Sequence, residues 1–265
     1  MRDVTYSVSA RGKKPTEPVI SWLYNYKLPL DSIDSVFGFP DIPCPFYGGR
    51  NFYVNPWATR QRVVELSIDD IQSLYLKGIG FRIPLTNHFV TREEYEVGQS
   101  VLNRFHRMGN SVIVYNDNLA RWIRDDFPLY RVEASVIKGV KTHEKIREVL
   151  DLYDSLVPAF EVHEDLEFLK AVPMGLRPRI RLFANVSCER GCPSRICYSF
   201  FSKVNKNPRD TSDLGPSCSR EVERLALMRQ RHGGITLYDV DAFRQMGYTR
   251  FKMLREDPAR PGQAF

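Results

Sequence analysis

The chain has 265 residues, 43% of them hydrophobic and 26% charged, with a formal net charge of +6. That balance reads as a soluble globular protein with one large core. No apolar run is long enough to span a bilayer, and Met1 to Val8 lacks the apolar stretch and small-residue cleavage site of a secretory leader, so a cytoplasmic location is expected.

The first 32 residues read as an N-terminal extension, and the alternation of short apolar runs with amphipathic stretches begins at Ile33. Ile33 to Gly38 reads as a strand, followed over residues 39–66 by a long loop rich in Pro, Gly and aromatics. Loops of this length are usually functional or partner-binding. Ser67 is the expected N-cap of a helix running to Gly78, with Asp69 and Asp70 in its first turn, where carboxylates favour the helix dipole. Gly80 to Thr86 is the second strand. Thr91 and Glu94 then have capping-box spacing at the head of a helix that Gly109 stops.

The rhythm continues with strands at Ser111 to Tyr115 and Tyr130 to Ala134, and helices at Leu119 to Asp126 and Thr142 to Leu156. Ala159 to Val162 reads as a fifth strand, Leu166 to Ala171 as a helix and Ile180 to Val186 as a sixth strand. Ser219 to Gln230 and Asp241 to Met246 read as helices, and Gly234 to Tyr238 and Thr249 to Leu254 as the last two strands. Strands alternating with helices imply a parallel sheet, and eight of them imply an α/β fold closed as a (β/α)8 TIM-like barrel. The barrel would occupy residues 33–257, with a cysteine-rich segment at 185–218 after the sixth strand and a tail at 258–265.

Four of the five cysteines, Cys188, Cys192, Cys197 and Cys218, follow directly on that sixth strand with spacing C-x3-C-x4-C-x20-C. Thiolates are soft ligands suited to iron–sulfur clusters and zinc. Neither short gap is the two-residue spacing of a zinc knuckle, so a [4Fe–4S] cluster is the first reading, with zinc and a disulfide or redox pair as alternatives. The x4 gap also differs from the x3, x2 triplet of radical S-adenosylmethionine enzymes. Cys44 is either a small buried hydrophobe or a spare fourth ligand in place of Cys218.

Active sites of such barrels lie at the C-terminal ends of the strands. Reading those ends gives Asn87, His88, Asn116, Asp117, Ser135, Glu161, His163, Asn185 and Lys252. His88, Glu161 and His163 are the candidate catalytic groups, with Glu161 as a possible general base; Asn87, Asn116 and Lys252 are candidate substrate contacts. The plainer alternatives are turn or helix-cap roles for the Asn and Asp side chains and surface hydrogen bonds for the histidines. Glu133 and Glu161 read equally well as paired buried carboxylates, and Lys252 as the holder of an anion or the partner of one of them. No G-x-S-x-G nucleophile elbow occurs, and four thiolates would close a zinc site against hydrolytic use.

Several segments together carry a resemblance: Ser35-Val-Phe-Gly38, Gly48-Gly-Arg50, Asn185-Val-Ser-Cys188 followed by Cys192-Pro193, and Met246-Gly-Tyr-Thr-Arg-Phe-Lys252. In these the chain resembles the collagenase-like peptidase family U32 over roughly residues 33–257; the family's closing glycine–arginine pair is replaced here by Leu254-Arg255-Glu256. The family contains proteins named as peptidases and oxygen-independent hydroxylation proteins of ubiquinone synthesis and RNA modification. The resemblance implies a barrel with Cys188, Cys192, Cys197 and Cys218 as [4Fe–4S] ligands. It also implies a short, single-barrel member that acts with a protein partner on a small or lipid-like, anionic or aromatic substrate. The implied activity is redox hydroxylation, with a peptidase and a non-catalytic cluster-bearing scaffold as the alternatives.

RNA is the lesser partner reading. Arg177, Arg179, Arg181, Arg190, Arg195, Lys203 and Lys206 cluster along the sequence near Tyr198, Phe200 and Phe201. Alternate residues of a strand face opposite ways, however, so these cations cannot all share one surface.

Overall fold

The computed structural model describes residues 4–11, 13–48, 64–186 and 236–254, together with the backbone of 52–54 and 60–62. Eleven strands are described: β1 (Thr5–Ser9), β2 (Ile33–Phe37), β3 (Phe52–Val54), β4 (Arg60–Arg62), β5 (Gly80–Leu85), β6 (Ser111–Val114), β7 (Arg131–Ala134), β8 (Ser155–Leu156), β9 (Arg181–Val186), β10 (Thr236–Leu237) and β11 (Arg250–Met253). The helices are α1 (Val19–Leu23), α2 (Ile68–Leu76), α3 (Arg92–Arg104), α4 (Asp117–Asp126), α5 (His143–Leu152), α6 (Leu166–Ala171) and α7 (Val240–Gln245).

Nine strands form one curled, mixed sheet in the order β10-β9-β11-β1-β2-β5-β6-β7-β8, and β3 and β4 form a separate hairpin. All neighbours in the large sheet are parallel except β10, which runs antiparallel to β9. Between β8 and β9 there is no ladder, only an isolated parallel bridge from Leu156 to Ile180. The architecture is therefore α/β and TIM-like, a strongly curled sheet rather than a barrel closed by continuous pairing.

Eight strands run parallel, but they are not the eight read from the alternation. Thr5–Ser9, within the stretch read as an extension, is a central strand between β11 and β2. Its polar alternation, Thr5, Ser7 and Ser9, hides it from an apolar-run criterion. Ala159 to Val162 is not a strand: Phe160–Glu164 is a single 3-10 turn, and the fifth-strand position belongs to the two-residue β8. The run around Gly234 to Tyr238 yields the short antiparallel β10.

The helix boundaries follow from their caps. Ser67 Oγ accepts from Asp70 N while Asp70 Oδ2 accepts from Ser67 N, both at 3.0 Å. Asp70 also accepts from Val19 N at 2.9 Å and pairs with Lys13 at 3.0 Å, which ties the N-terminal segment to α2. Thr91 and Glu94 form the same reciprocal cap on α3. Asn116 caps α4 by accepting from Leu119 N at 3.0 Å.

The two faces of the sheet differ in chemistry. Outward residues are apolar and pack under the helices, as in Phe81 on Phe105 and Phe251 on Phe243. Inward residues include Ser7, Arg82, Glu133, Ser155, Arg181 and Lys252, all buried. Barrels of this type are normally filled by branched apolar side chains, so a charged interior needs internal pairing. Glu133 Oε2 supplies it, accepting from Arg82 Nη2 at 2.7 Å, Arg181 Nε at 3.1 Å and Ser155 Oγ at 3.3 Å. Arg181 reaches on to Asp34 at 2.8 Å and donates to Phe251 O at 3.0 Å. Burial alone would raise the Glu133 carboxyl, but Arg82 and Arg181 outweigh it and hold it at about 2.

Glu133→Gln should lower unfolding stability by about 3–5 kcal/mol, because two buried guanidinium groups lose their shared counter-ion. Since the folded carboxyl lies at about 2, below its ordinary value of 4.5, its contribution is complete above that value and lost as pH falls through 2. Urea titrations between pH 2 and 6 should show an acid-labile component in the natural protein that Glu133→Gln lacks. Equal stability of the two proteins at pH 6 would contradict the pairing.

Candidate functional site

The C-terminal end of the curled sheet, past the charged layer of Arg82, Glu133 and Arg181, is termed its mouth. Lys252, from β11, is the Cα partner of Ser7 on one side and of Phe183 on the other, so all three project from the same face. Its Nζ lies 4.5 Å from the centre of the Phe37 ring. Phe37 is in turn the register partner of Arg82 on the neighbouring strand.

Lys252 is only 6% exposed, and no carboxylate among the described residues lies within ion-pair distance of it. Burial lowers its basicity, Glu133 opposes this, and Arg82 and Arg181 add to it, leaving the amine at about 7 instead of 10.5. A lysine of this kind exchanges a proton near neutrality. It can act as base, acid or nucleophile where an ordinary lysine cannot.

His163 stands above this layer, 1% exposed, with Nδ1 2.9 Å from Ala159 O and its ring 5.0 Å from Phe183 and 5.4 Å from Tyr238. Phe160 stacks on Phe183 at 5.1 Å. Asn185, fully buried, accepts from Leu254 N at 2.9 Å and so ties the ends of β9 and β11 together. Phe183 thus joins His163, Phe160 and Lys252 into one group.

The remaining candidates lie apart from it. Glu161 is 57% exposed and pairs with Lys141 at 3.2 Å, outside any strand. Asn87 donates to Tyr47 O at 3.3 Å and accepts from Phe89 N at 3.0 Å, bracing the long loop against the end of β5. Gly48 makes that contact possible, since a Cβ there would come within 2.2 Å of the Thr86 backbone. Asn116 caps α4 and donates to His88 O at 3.2 Å; the His88 ring lies 3.9 Å from Tyr115. Asp117 holds Lys138 and Tyr153, each at 2.7 Å. The Ser135 side chain caps the 3-10 turn after β7, accepting from Ile137 N at 3.5 Å.

Cys188, Cys192, Cys197 and Cys218 lie outside the described residues. Among the described residues no group of three His, Cys, Asp or Glu side chains could hold a metal ion. Cys44 is buried and its thiol is pushed up to about 12, which disfavours the thiolate a metal requires. What is described is the attachment of the cysteine segment: β9 ends at Val186, two residues before Cys188, and the chain returns at Thr236, paired with Val186. The segment therefore leaves and re-enters the sheet at one place, beside Asn185 and the mouth.

Three cations of the presumed RNA cluster have other tasks. Arg177 donates to Val172 O and Lys170 O, Arg179 to Tyr153 O and Asp154 O, and Arg181 to the interior network. Arg190, Arg195, Lys203 and Lys206 lie outside the described residues. Among the described residues no helix is long and apolar enough to cross a membrane.

Sequence reasoning missed Arg82 and Arg181 as shapers of the site. The available signal was a charge in the middle of an otherwise apolar strand, as in Gly80–Leu85 and Arg181–Val186.

The solved structure of the U32 peptidase Mk0906 superposes with a TM-score of 0.57 at 12% identity, covering 98% of this chain and 94% of that one. The shared feature at that identity is the fold. No protein-family model and no curated protein matches the sequence.

A neutral amine in the folded state and a charged one in the unfolded state make stability rise between pH 7 and about 10. Below pH 7 both states carry the proton and the full cost of burying the charge. Lys252→Met should therefore be more stable than the natural protein at pH 7, with the difference shrinking as pH approaches 10. A pH-independent difference, or a destabilised variant, would contradict this placement of the amine.

Proposed function

We propose that the chain is a hydrolytic enzyme of the U32-peptidase kind, cleaving an amide bond at the C-terminal mouth of its curled sheet. The observation that carries this reading is Lys252, a buried amine poised near neutrality where strand ends of such folds present their chemistry. In its neutral form Lys252 takes a proton from the attacking nucleophile and returns it to the leaving amine. Ser7, its register neighbour, is linked to Ser35 at 3.0 Å, and Ser35 to Asp34 at 2.6 Å. In this reading water is the nucleophile. The aromatic wall of Phe37, Phe160 and Phe183 excludes bulk water, and His163 orients the scissile group. The likeness in fold to a U32 peptidase supports the reading.

A second reading rests on the cysteines. The chain would be a redox component of oxygen-independent hydroxylation, with a [4Fe–4S] cluster on Cys188, Cys192, Cys197 and Cys218, or zinc in its place. It would act with a protein partner on a small or lipid-like aromatic substrate. The attachment of that segment beside the mouth, at the Val186–Thr236 pair, favours it. The four thiolates would supply soft ligation, and the mouth residues would hold the substrate next to it.

Incubation with an unstructured protein should give cleavage products, with a rate that rises through pH 7 as Lys252 loses its proton. Lys252→Met should reduce that rate about 100-fold or more, within the range expected for loss of a general base. Cleavage retained in Lys252→Met would remove the amine from the mechanism. Absence of cleavage, together with about four irons per chain after anaerobic purification and their loss in Cys188→Ala, would establish the second reading instead.

A further inference from the structure

Arg82, 3% exposed, gives Nη2 to Glu133, while its Nε and Nη1 have no hydrogen-bond partner among the described residues. Glu133 Oε1, on a wholly buried carboxylate, is likewise without one. Buried charged groups seldom leave hydrogen-bonding atoms unfilled unless a water or a ligand completes them. Lys252 lies over the ring of Phe37, the register partner of Arg82, feels the Arg82 charge, and has no carboxylate among the described residues at ion-pair distance. Arg82 and Arg181 balance the two carboxylates Asp34 and Glu133 while Lys252 is neutral, so an anion entering the network is balanced by protonation of Lys252. The unfilled guanidinium donors point to an oxygen acid.

We propose that the interior binds a small carboxylate between Arg82 and Lys252, with a hydroxyl or amide N–H of the same ligand donated to Glu133 Oε1. The carboxylate would take the free edge of the guanidinium and the ammonium together, a charge-assisted arrangement stronger than hydrogen bonds between neutral groups. The positive edge of the Phe37 ring suits an anion in its plane. The proposal stands without the hydrolytic reading. If hydrolysis is the activity, the carboxylate is the peptide end newly formed by cleavage and held as product; otherwise it is a free hydroxy acid.

The charged and titratable groups facing Lys252 are Glu133 from β7, Arg82 from β5, Arg181 from β9 and Arg11 after β1, with His163 across Phe183. A carboxylate beside the amine adds to Glu133 in favouring its protonated form. Lys252, largely neutral above pH 7 when empty, therefore takes up a proton on binding. The measurement is isothermal titration calorimetry of the full chain at pH 8 in buffers of different ionisation enthalpy. Glycolate and the dipeptide Gly-Ala serve as the two sources of carboxylate, and acetate as the comparator lacking a donor.

The expected result is uptake approaching one proton per ligand bound, with affinity falling about tenfold per pH unit well above 7. Acetate should bind more weakly than glycolate, and Lys252→Met should weaken both at least tenfold and abolish the uptake, separating the amine from His163. Preference for Gly-Ala over glycolate identifies a peptide end, and the reverse a free acid. No binding of either probe at 10 mM, or binding without proton uptake in the natural protein, would overturn the proposal; so would affinity unchanged in a Lys252→Met protein with native circular dichroism.

Discussion

The ionised Glu133 carboxylate, sealed inside the curl of the sheet, sets the terms for everything around it. One of its oxygens holds Arg82 and Arg181 together, and Arg181 extends the network to Asp34 on β2 and to the main chain of β11. Strands far apart in sequence are thus joined by charge at the centre and by apolar packing under the helices outside. Such a network specifies its partners more strictly than an apolar filling would, because each unpaired member is costly. The same arrangement leaves Lys252 surrounded by cations with its nearest carboxylate already shared. The lowered basicity of the amine follows first from its burial, and the arginines around it add to that.

Much of this organisation is legible in the sequence, and the exceptions have physical reasons. Caps at Ser67, Thr91 and Asn116 are local, with the side chain and its backbone donor three residues apart, so spacing reveals them. The long parallel strands β5 and β9 are apolar enough to stand out. β1 does not, because its inward residues are serines and threonine facing a polar interior, and it reads as a tail. β8 is two residues long and leaves no periodic trace, while the richer run at Ala159 turns out to be a 3-10 turn. Reading strand ends brings up Lys252, His163 and Asn185, which lie near one another, and the same rule brings up Asn116 and Asn87, which cap a helix and brace a loop. Strand-end position alone does not distinguish a reacting group from a local one. What separates them is the pairing of charges across strands distant in sequence, which no local window contains.

The mouth joins two kinds of chemistry in one place. Below it lies an amine that changes charge near neutrality; beside it, at the Val186–Thr236 pair, a segment with four cysteines is attached. Hydrolysis needs the first and has no evident use for the second, whereas redox chemistry needs the second and would use the first to hold an anionic substrate. The shared requirement is a cationic, partly dehydrated floor, and the Arg82–Glu133–Arg181 layer provides it. Phe37 lies against Lys252, and Phe160 stacks on Phe183, the register neighbour of Lys252, so apolar rings flank the amine.

The central claim is that burial beside the interior arginines brings Lys252 to titrate near pH 7. Protein carrying 13C at lysine Cε, followed by NMR from pH 5 to 11 and assigned by the signal missing in Lys252→Met, measures it directly. One lysine should titrate with a midpoint near 7, far from the others. A Lys252 resonance that stays protonated until about pH 10, like an exposed lysine, would contradict the account.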